Sequence, residues 1–241
     1  MWARVGSIAL LLTSIVVSPS VAESNEPLPG VASKVAGMEK KEGLLNAHGY
    51  VTRWHVAGTF PDGWSAMEDG VEGMRTVYPP EKKVDLKQSF TVVYNSSHWS
   101  RDKRWGKKQA EEVTGWEQPT VANAEGVLYL AKRTPSFLPL VLSSGASYAY
   151  TEIVVPRQTD VHMDFLFNAG SQSRIWLNSK KLNLNVQADR HRRTPGRRSG
   201  KATLNAGKNR ILVKLVAGTL GRTMSLHLTD PKGKPVERSY E

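Results

Sequence analysis

The side chains able to do chemistry are scattered along this chain, and none falls into the spacing that a familiar reaction demands. The six histidines (His48, His55, His98, His162, His191 and His227) are dispersed, with no HExxH pair, no phosphate-binding glycine-rich loop and no EF-hand loop. His162 and Asp164 stand two apart, which on a strand puts them on one face. A solvent-facing polar pair is the favoured reading there, and a ligand or metal contact the alternative. Glu68, Asp69 and Glu72 sit in a glycine-rich stretch and offer oxygens to a hard cation, but without a defined ligand spacing. Carboxylate pairs for glycoside hydrolysis can be drawn from Glu68, Asp69, Glu111 and Glu112, and nothing selects one pair. Gly145-Ala146-Ser147-Tyr148-Ala149 approaches a nucleophile elbow, yet it lacks the last glycine and opens a strand instead of leading into a helix. The absence of cysteine excludes thiolate nucleophiles, cysteine metal ligands and disulfides. The sequence therefore assigns no catalytic residue, no metal site and no cofactor.

Groups suited to binding are more prominent. Trp64 lies beside Pro61-Asp62-Gly63, and Trp99 within Asn95-Ser96-Ser97-His98, where turns are expected. A ring exposed there can stack on a sugar while polar neighbours bind its hydroxyls. Trp105 follows Arg101, Lys103 and Arg104, a setting for a cation–π or anionic-glycan patch. Trp54 and Trp176 fall in strands and are expected in the core. Between Gln187 and Lys201 the run QADRHRRTPGRRSGK gathers Arg190, Arg192, Arg193, Arg197 and Arg198 around Pro195-Gly196. It reads as a basic loop between two strands: either simply solvated, or a contact for phosphate, sulfate or carboxylate through bidentate guanidinium forks. The candidate ligand contacts are thus Trp64, Trp99, Trp105, Arg190, Arg192, Arg193, Arg197 and Arg198. A net charge of +11 suits either a generally basic surface or anionic polymers as partners.

The elements that must position these groups are strands. Val51 to Phe60 is strand-like and ends at Pro61-Asp62-Gly63; Phe90 to Tyr94 and Gly126 to Lys132 follow, with a long irregular segment punctuated by Gly70, Gly73 and Pro79-Pro80. Ala146 to Val155 is rich in β-formers and stops at Pro156. In Val161 to Phe167, apolar and polar residues alternate with the period of a strand buried on one face. Ile175 to Leu182 turns at Asn178-Ser179, and Lys201 to Leu204 leads through Asn205-Ala206-Gly207-Lys208-Asn209 into Arg210 to Val216, with Met224 to Leu228 last. Turn signals every eight to twelve residues and no long amphipathic helix predict an all-β sandwich. Hydrophobic residues make up 39%, enough for a core in a chain with no disulfide to staple it.

Three motifs stand out: Tyr148-Ala149-Tyr150-Thr151-Glu152-Ile153 before Pro156, Ile175-Trp176-Leu177-Asn178-Ser179-Lys180, and Leu204 to Gly207 with Asn209 to Leu215. They resemble those of the galactose-binding-domain-like jelly rolls of secreted bacterial proteins, and are similar to the sugar-binding domain of family 2 glycoside hydrolases. Arg53-Trp54-His55-Val56-Ala57-Gly58-Thr59-Phe60 and Val77-Tyr78-Pro79-Pro80-Glu81 resemble the opening segments of such modules. The likeness covers roughly residues 50–230 and implies a jelly-roll β-sandwich. Two positions depart from it. Ser171-Gln172-Ser173 replaces an acidic Asp-Asp-Gly-like turn, which weakens any calcium or sugar role for that turn, and Ser179 replaces a glycine.

At the N-terminus, Arg4, the apolar run Ile8 to Val17 and Ser20-Val21-Ala22 have the order of a cleavable secretory signal. The run is too short to span a bilayer, which needs about twenty apolar residues. The expected organisation is a signal at 1–22, a spacer with a possible short helix at 23–48, a sandwich at 49–234 and a tail at 235–241. The expected product is secreted or periplasmic, with neither nucleic acid nor a membrane span among its partners. Its expected role is non-catalytic binding of carbohydrate, including anionic polysaccharide. The alternatives are a structural or protein-interaction module of the cell envelope and, ranked last, a hydrolase.

Overall fold

The computed structural model describes residues 44–61, 71–95, 109–117, 120–130, 145–168, 171–187, 196–217 and 222–236. Within them the chain is an antiparallel β-sandwich, as the alternation predicts. One sheet has six strands in the order β4-β1-β6-β12-β8-β9: Thr120–Val121, Arg53–Pro61, Gly145–Val155, Gly207–Ala217, Gln172–Leu177 and Lys180–Lys181. The other has five in the order β10-β11-β7-β13-β5: Asn185–Gln187, Gly196–Leu204, Thr159–Phe167, Thr223–Thr229 and Leu128–Tyr129. A separate ribbon pairs β2 (Ser89–Asn95) with β3 (Gln109–Gly115).

The main core lies between the two sheets. Val161, Met163, Phe165 and Phe167 of β7 and Leu226 and Leu228 of β13 meet Ile153 and Val155 of β6 and Ile211, Val213 and Leu215 of β12. Each fully buried side chain of this size contributes about 1.5–3 kcal/mol. Trp54 is buried here as expected, whereas Trp176 is half-buried and packs on the opposite side of its sheet.

The two sheets differ in their second faces. On the six-stranded sheet that face carries Ala57, Phe60, Tyr148, Tyr150, Leu212 and Val216, which pack with Phe90 and Val92 of the ribbon and with Met74, Tyr78 and Val84. Those last residues belong to a stretch expected to be irregular, which instead forms two short helices, α1 (Val71–Arg75) and α2 (Pro79–Lys82), and the turn after them. With both faces covered, β12 reads ILVKLV, the near-continuous apolar run of a central strand. In the five-stranded sheet β7 alternates, burying Val161, Met163, Phe165 and Phe167 and turning Asp160, His162, Asp164 and Leu166 to its second face.

Tight backbone geometry falls where the turn residues stand. Asn178 and Ser179 both take positive φ, 49° and 67°, to join β8 to β9. The register of β1 against β6 shifts between Ala57 and Phe60. At this bulge Gly58 has φ +115°, and a Cβ there would come within 2.9 Å of the Ala146 carbonyl.

Candidate functional site

The sequence-predicted contacts fall in two groups. Trp64, Trp99, Trp105, Arg190, Arg192 and Arg193 lie outside the described residues. Arg197 and Arg198 are described, and they are not in a loop. β10 and β11 extend the pairing inward on both sides of the turn, so only 188–195 is left between them, and Arg197 and Arg198 sit on a nine-residue strand zipped to β7. Arg197 faces outward, where its Nε and Nη2 donate to the two carboxylate oxygens of Asp164 at 2.7 and 2.6 Å. Its fork is therefore already engaged. Arg198 points inward and donates through Nε to the Ser173 hydroxyl. Burial holds its guanidinium below the usual value.

The outward residues of β7, β11 and β13 form a polar face in register. Thr203 is opposite Asp160, Lys201 and Thr229 flank His162, and Ser199 and His227 flank Asp164. At the Asp160 end, the turn that follows β13 rises beside the sheet and closes a groove of about 640 Å³. Its lining includes Asp160, His162, Lys201, Thr203, Thr229, Asp230 and Pro231. The turn is fixed by Asp230, whose Oδ1 accepts the backbone N–H groups of Lys232 and Lys234 at 2.8 Å each. It is held again by the bridge between Thr229 and Pro235. Within the groove the Thr203 hydroxyl donates to Asp160 Oδ1 at 2.7 Å, which orients that carboxylate. His162 and Lys201 make no side-chain hydrogen bond or ion pair among the described residues. The groove thus presents acceptors, donors and hydroxyls on a rigid sheet, with the Pro231 ring as an apolar patch. The outward pairing of His162 and Asp164 was visible in the sequence; their strand neighbours were not.

A second cluster of charge lies on the covered face of the other sheet. Lys214, in the middle of β12, is wholly buried, with side-chain exposure of 0%. Its ammonium donates to Glu81 Oε1 at 2.7 Å and to the Thr76 carbonyl at 2.6 Å, and lies 4.9 Å from the centre of the Tyr78 ring. The Tyr148 hydroxyl donates to the same Glu81 oxygen at 2.7 Å, and Arg174 Nη1 lies 3.7 Å from the other. Burial, and then the Glu81 hydrogen bond, hold the Tyr148 phenol far above its usual range. Every group here is committed to another, so the cluster fastens α2 to the sheet and offers nothing to a substrate. Its sequence signals were the PPE segment, where Pro79 starts a helix and Glu81 accepts the Tyr78 N–H, and a lysine inside an apolar strand.

Two further residues are settled by geometry. Ser147 is fully buried in β6, accepting from Arg222 Nη1 at 3.4 Å, so it does not present a nucleophile. Glu152 carries competing influences. Burial pushes its carboxyl up, but hydrogen bonds from Lys208 and Tyr150 and the charge of Arg210 outweigh it and hold the carboxyl below its usual value. Among the described residues there is no group of three His, Asp or Glu able to hold a metal ion, and no helix long and apolar enough to cross a membrane.

No protein-family model matches the chain, and no curated protein sequence matches it either. Among solved structures, a β-glucosidase from Kluyveromyces marxianus aligns at a TM-score of 0.34 and 13% identity, over 72% of this chain and 20% of the enzyme. The glucose complex of a β-glucosidase from the same organism aligns at 0.34 and 12%, over 61% of this chain and 16% of that one. A GH26-CBM35 β-(1,4)-mannanase from Podospora anserina aligns at 0.25 and 12%, over 58% and 28%. The chain therefore spans between 16% and 28% of the length of these proteins. Overlaps this loose carry no argument about function.

Proposed function

We propose that this protein is an exported, non-catalytic carbohydrate-binding module, a galactose-binding-domain-like jelly roll whose ligand lies on the open face of its five-stranded sheet. The observation that carries this reading is the groove over β7 and β11. There a carboxylate oriented by Thr203, an imidazole, an ammonium and hydroxyls converge on a rigid surface beside a proline ring. Such a mixed lining suits sugar hydroxyls with C–H faces between them. A binding rather than hydrolytic role is supported by two enclosed catalytic-type groups among the described residues, Glu81 and Ser147, being bonded to neighbouring side chains. Protein docking as the main role would draw on exposed hydrophobics; among the described residues these are eight, spread over both sheets, the ribbon and the turns, against the twenty or so residues a side of a stable interface.

The test is affinity electrophoresis of the mature protein through gels containing soluble polysaccharides. Retardation by at least one polymer, lost in Lys201→Ala and in Asp160→Ala, supports the reading. Equal mobility in every gel, or retardation untouched by both substitutions, refutes it. Export is checked separately by N-terminal sequencing of the protein recovered outside the cytosol, with cleavage expected after Ala22.

A further inference from the structure

We infer that the groove is one end of a longer site, a strip along β7 that takes several consecutive units of an uncharged polysaccharide chain. The inference rests on the carbohydrate reading and deepens it. Three observations lead to it.

The first is length. The outward rows continue beyond the groove, from Asp160 through His162, Asp164 and Leu166 to Asn168, whose backbone N–H meets the Thr223 carbonyl on β13. Eight residues of extended chain span about 26 Å. Among the described residues Leu166 and Tyr129 are exposed on this face, 46% and 66%, while Ser225 opposite Leu166 is buried.

The second is the placement of rings. In the Asp164 row, Tyr50 stacks on His227 with centroids 4.7 Å apart, and Tyr50 is joined to His227 by a backbone bridge. His227 is fixed in turn, its Nε2 lying 2.8 Å from the His48 carbonyl oxygen. In the last row Tyr129, paired with Thr223, is 66% exposed while its neighbour Leu128 is buried. Its ring therefore stands on the outer face at the far end from the groove. A tyrosine this exposed among the described residues, in line with a hydroxyl-binding groove, suits a sugar face stacked at a distance from the first unit.

The third is charge. The protein is strongly basic, but this strip is not. Arg197 is neutralised by Asp164 in a two-oxygen contact. The groove itself sets the carboxylates of Asp160 and Asp230 against the ammonium of Lys201. Among the described residues, a polyanion laid along the strip meets the Asp160 and Asp230 carboxylates at the groove, and the outward guanidinium of Arg197 is already paired with Asp164. Hydroxyl recognition needs no counter-ion, so the ligand class is a neutral glycan, and salt has little leverage on its binding.

The experiment uses galactomannan, xylan and mixed-linkage β-glucan, with size fractions of two to eight units from whichever polymer retards the protein, titrated by calorimetry. Affinity is expected to rise at least tenfold between two and six units. Tyr129→Ala is expected to remove most of that gain while leaving the two-unit affinity unchanged. Raising NaCl from 50 mM to 500 mM is expected to alter Kd less than twofold. Equal affinity at all lengths overturns the inference while leaving the groove as a short site, and so does a Tyr129→Ala protein that behaves as wild type. A preference for sulfated or uronate polymers that vanishes in salt overturns the neutral class. Failure of every polymer overturns this inference and the proposed function together.

Discussion

Lys214 should be among the most costly single side chains to remove from this protein. Its ammonium is fully buried against a Glu81 carboxylate that is itself only 6% exposed. Lys214→Met preserves the aliphatic stem and deletes the charge. Glu81 would keep the Tyr148 hydroxyl, a long hydrogen bond from the Tyr78 N–H at 3.4 Å and an Arg174 contact at 3.7 Å, too long to be a hydrogen bond. Thr76 would lose the donor to its carbonyl. Breaking a buried pair by deleting one partner costs about 3–5 kcal/mol, because the survivor is an uncompensated buried charge. For a domain of this size that is a fall in Tm of roughly 6–20 °C. Adding Glu81→Gln removes the stranded charge but keeps an oxygen to accept from Tyr148. The double variant should therefore be more stable than Lys214→Met alone, with a coupling of about 1–3 kcal/mol. Urea unfolding followed by tryptophan fluorescence measures all four corners of the cycle. A Lys214→Met cost below about 1 kcal/mol, or strictly additive costs, would refute the account of this cluster.

Three further outcomes follow from the packing and backbone geometry. Ser179 holds φ at 67° without being glycine, so Ser179→Gly should stabilise by roughly 0.5 kcal/mol and Ser179→Val should destabilise by at least about 1 kcal/mol in the same urea assay. The Asn209 side chain is wholly buried, accepts from Asn205 N–H and Asn178 Nδ2, and donates to the Asn205 and Gly207 carbonyls; Asn209→Ala should cost about 2–4 kcal/mol by leaving these groups unmatched. Glu152 has its folded carboxyl held low, so it adds stability above the unfolded value of about 4.3 and loses it as pH falls through the folded value. Glu152→Gln should therefore be less stable than wild type at pH 7, with the gap closing towards pH 3 in thermal melts.

What could be read from the sequence was whatever depends on local pattern. The alternation of β7, the turn at Asn178-Ser179 and the Gly207 hairpin each follow from steric rules acting over a few residues. β3 escaped because QAEEVTG has no apolar period; pairing to β2 makes it a strand. β11 escaped for a related reason. Its two arginines read as loop, yet Arg197 becomes a strand residue by finding Asp164, a partner 33 residues away that only the strand order reveals. Glu81 and Lys214 are 133 residues apart, so their pairing had no local signature. The groove is the same case: His162 and Asp164 could be placed on an outward face, but the neighbours supplied by β11 and the turn after β13 depend on topology. Fold class is a local property repeated many times, while a site is a coincidence of distant segments.

Sugar binding on the open face of the five-stranded sheet is tested by a two-dimensional amide NMR titration of residues 23–241 with a neutral six-unit oligosaccharide. Shifts are expected to concentrate at Asp160–Asp164, Lys201–Thr203 and Thr229–Gly233, with a second focus at Tyr129. Shifts confined to the 188–195 segment or to the covered face of the other sheet, or no shifts at millimolar ligand, would contradict it.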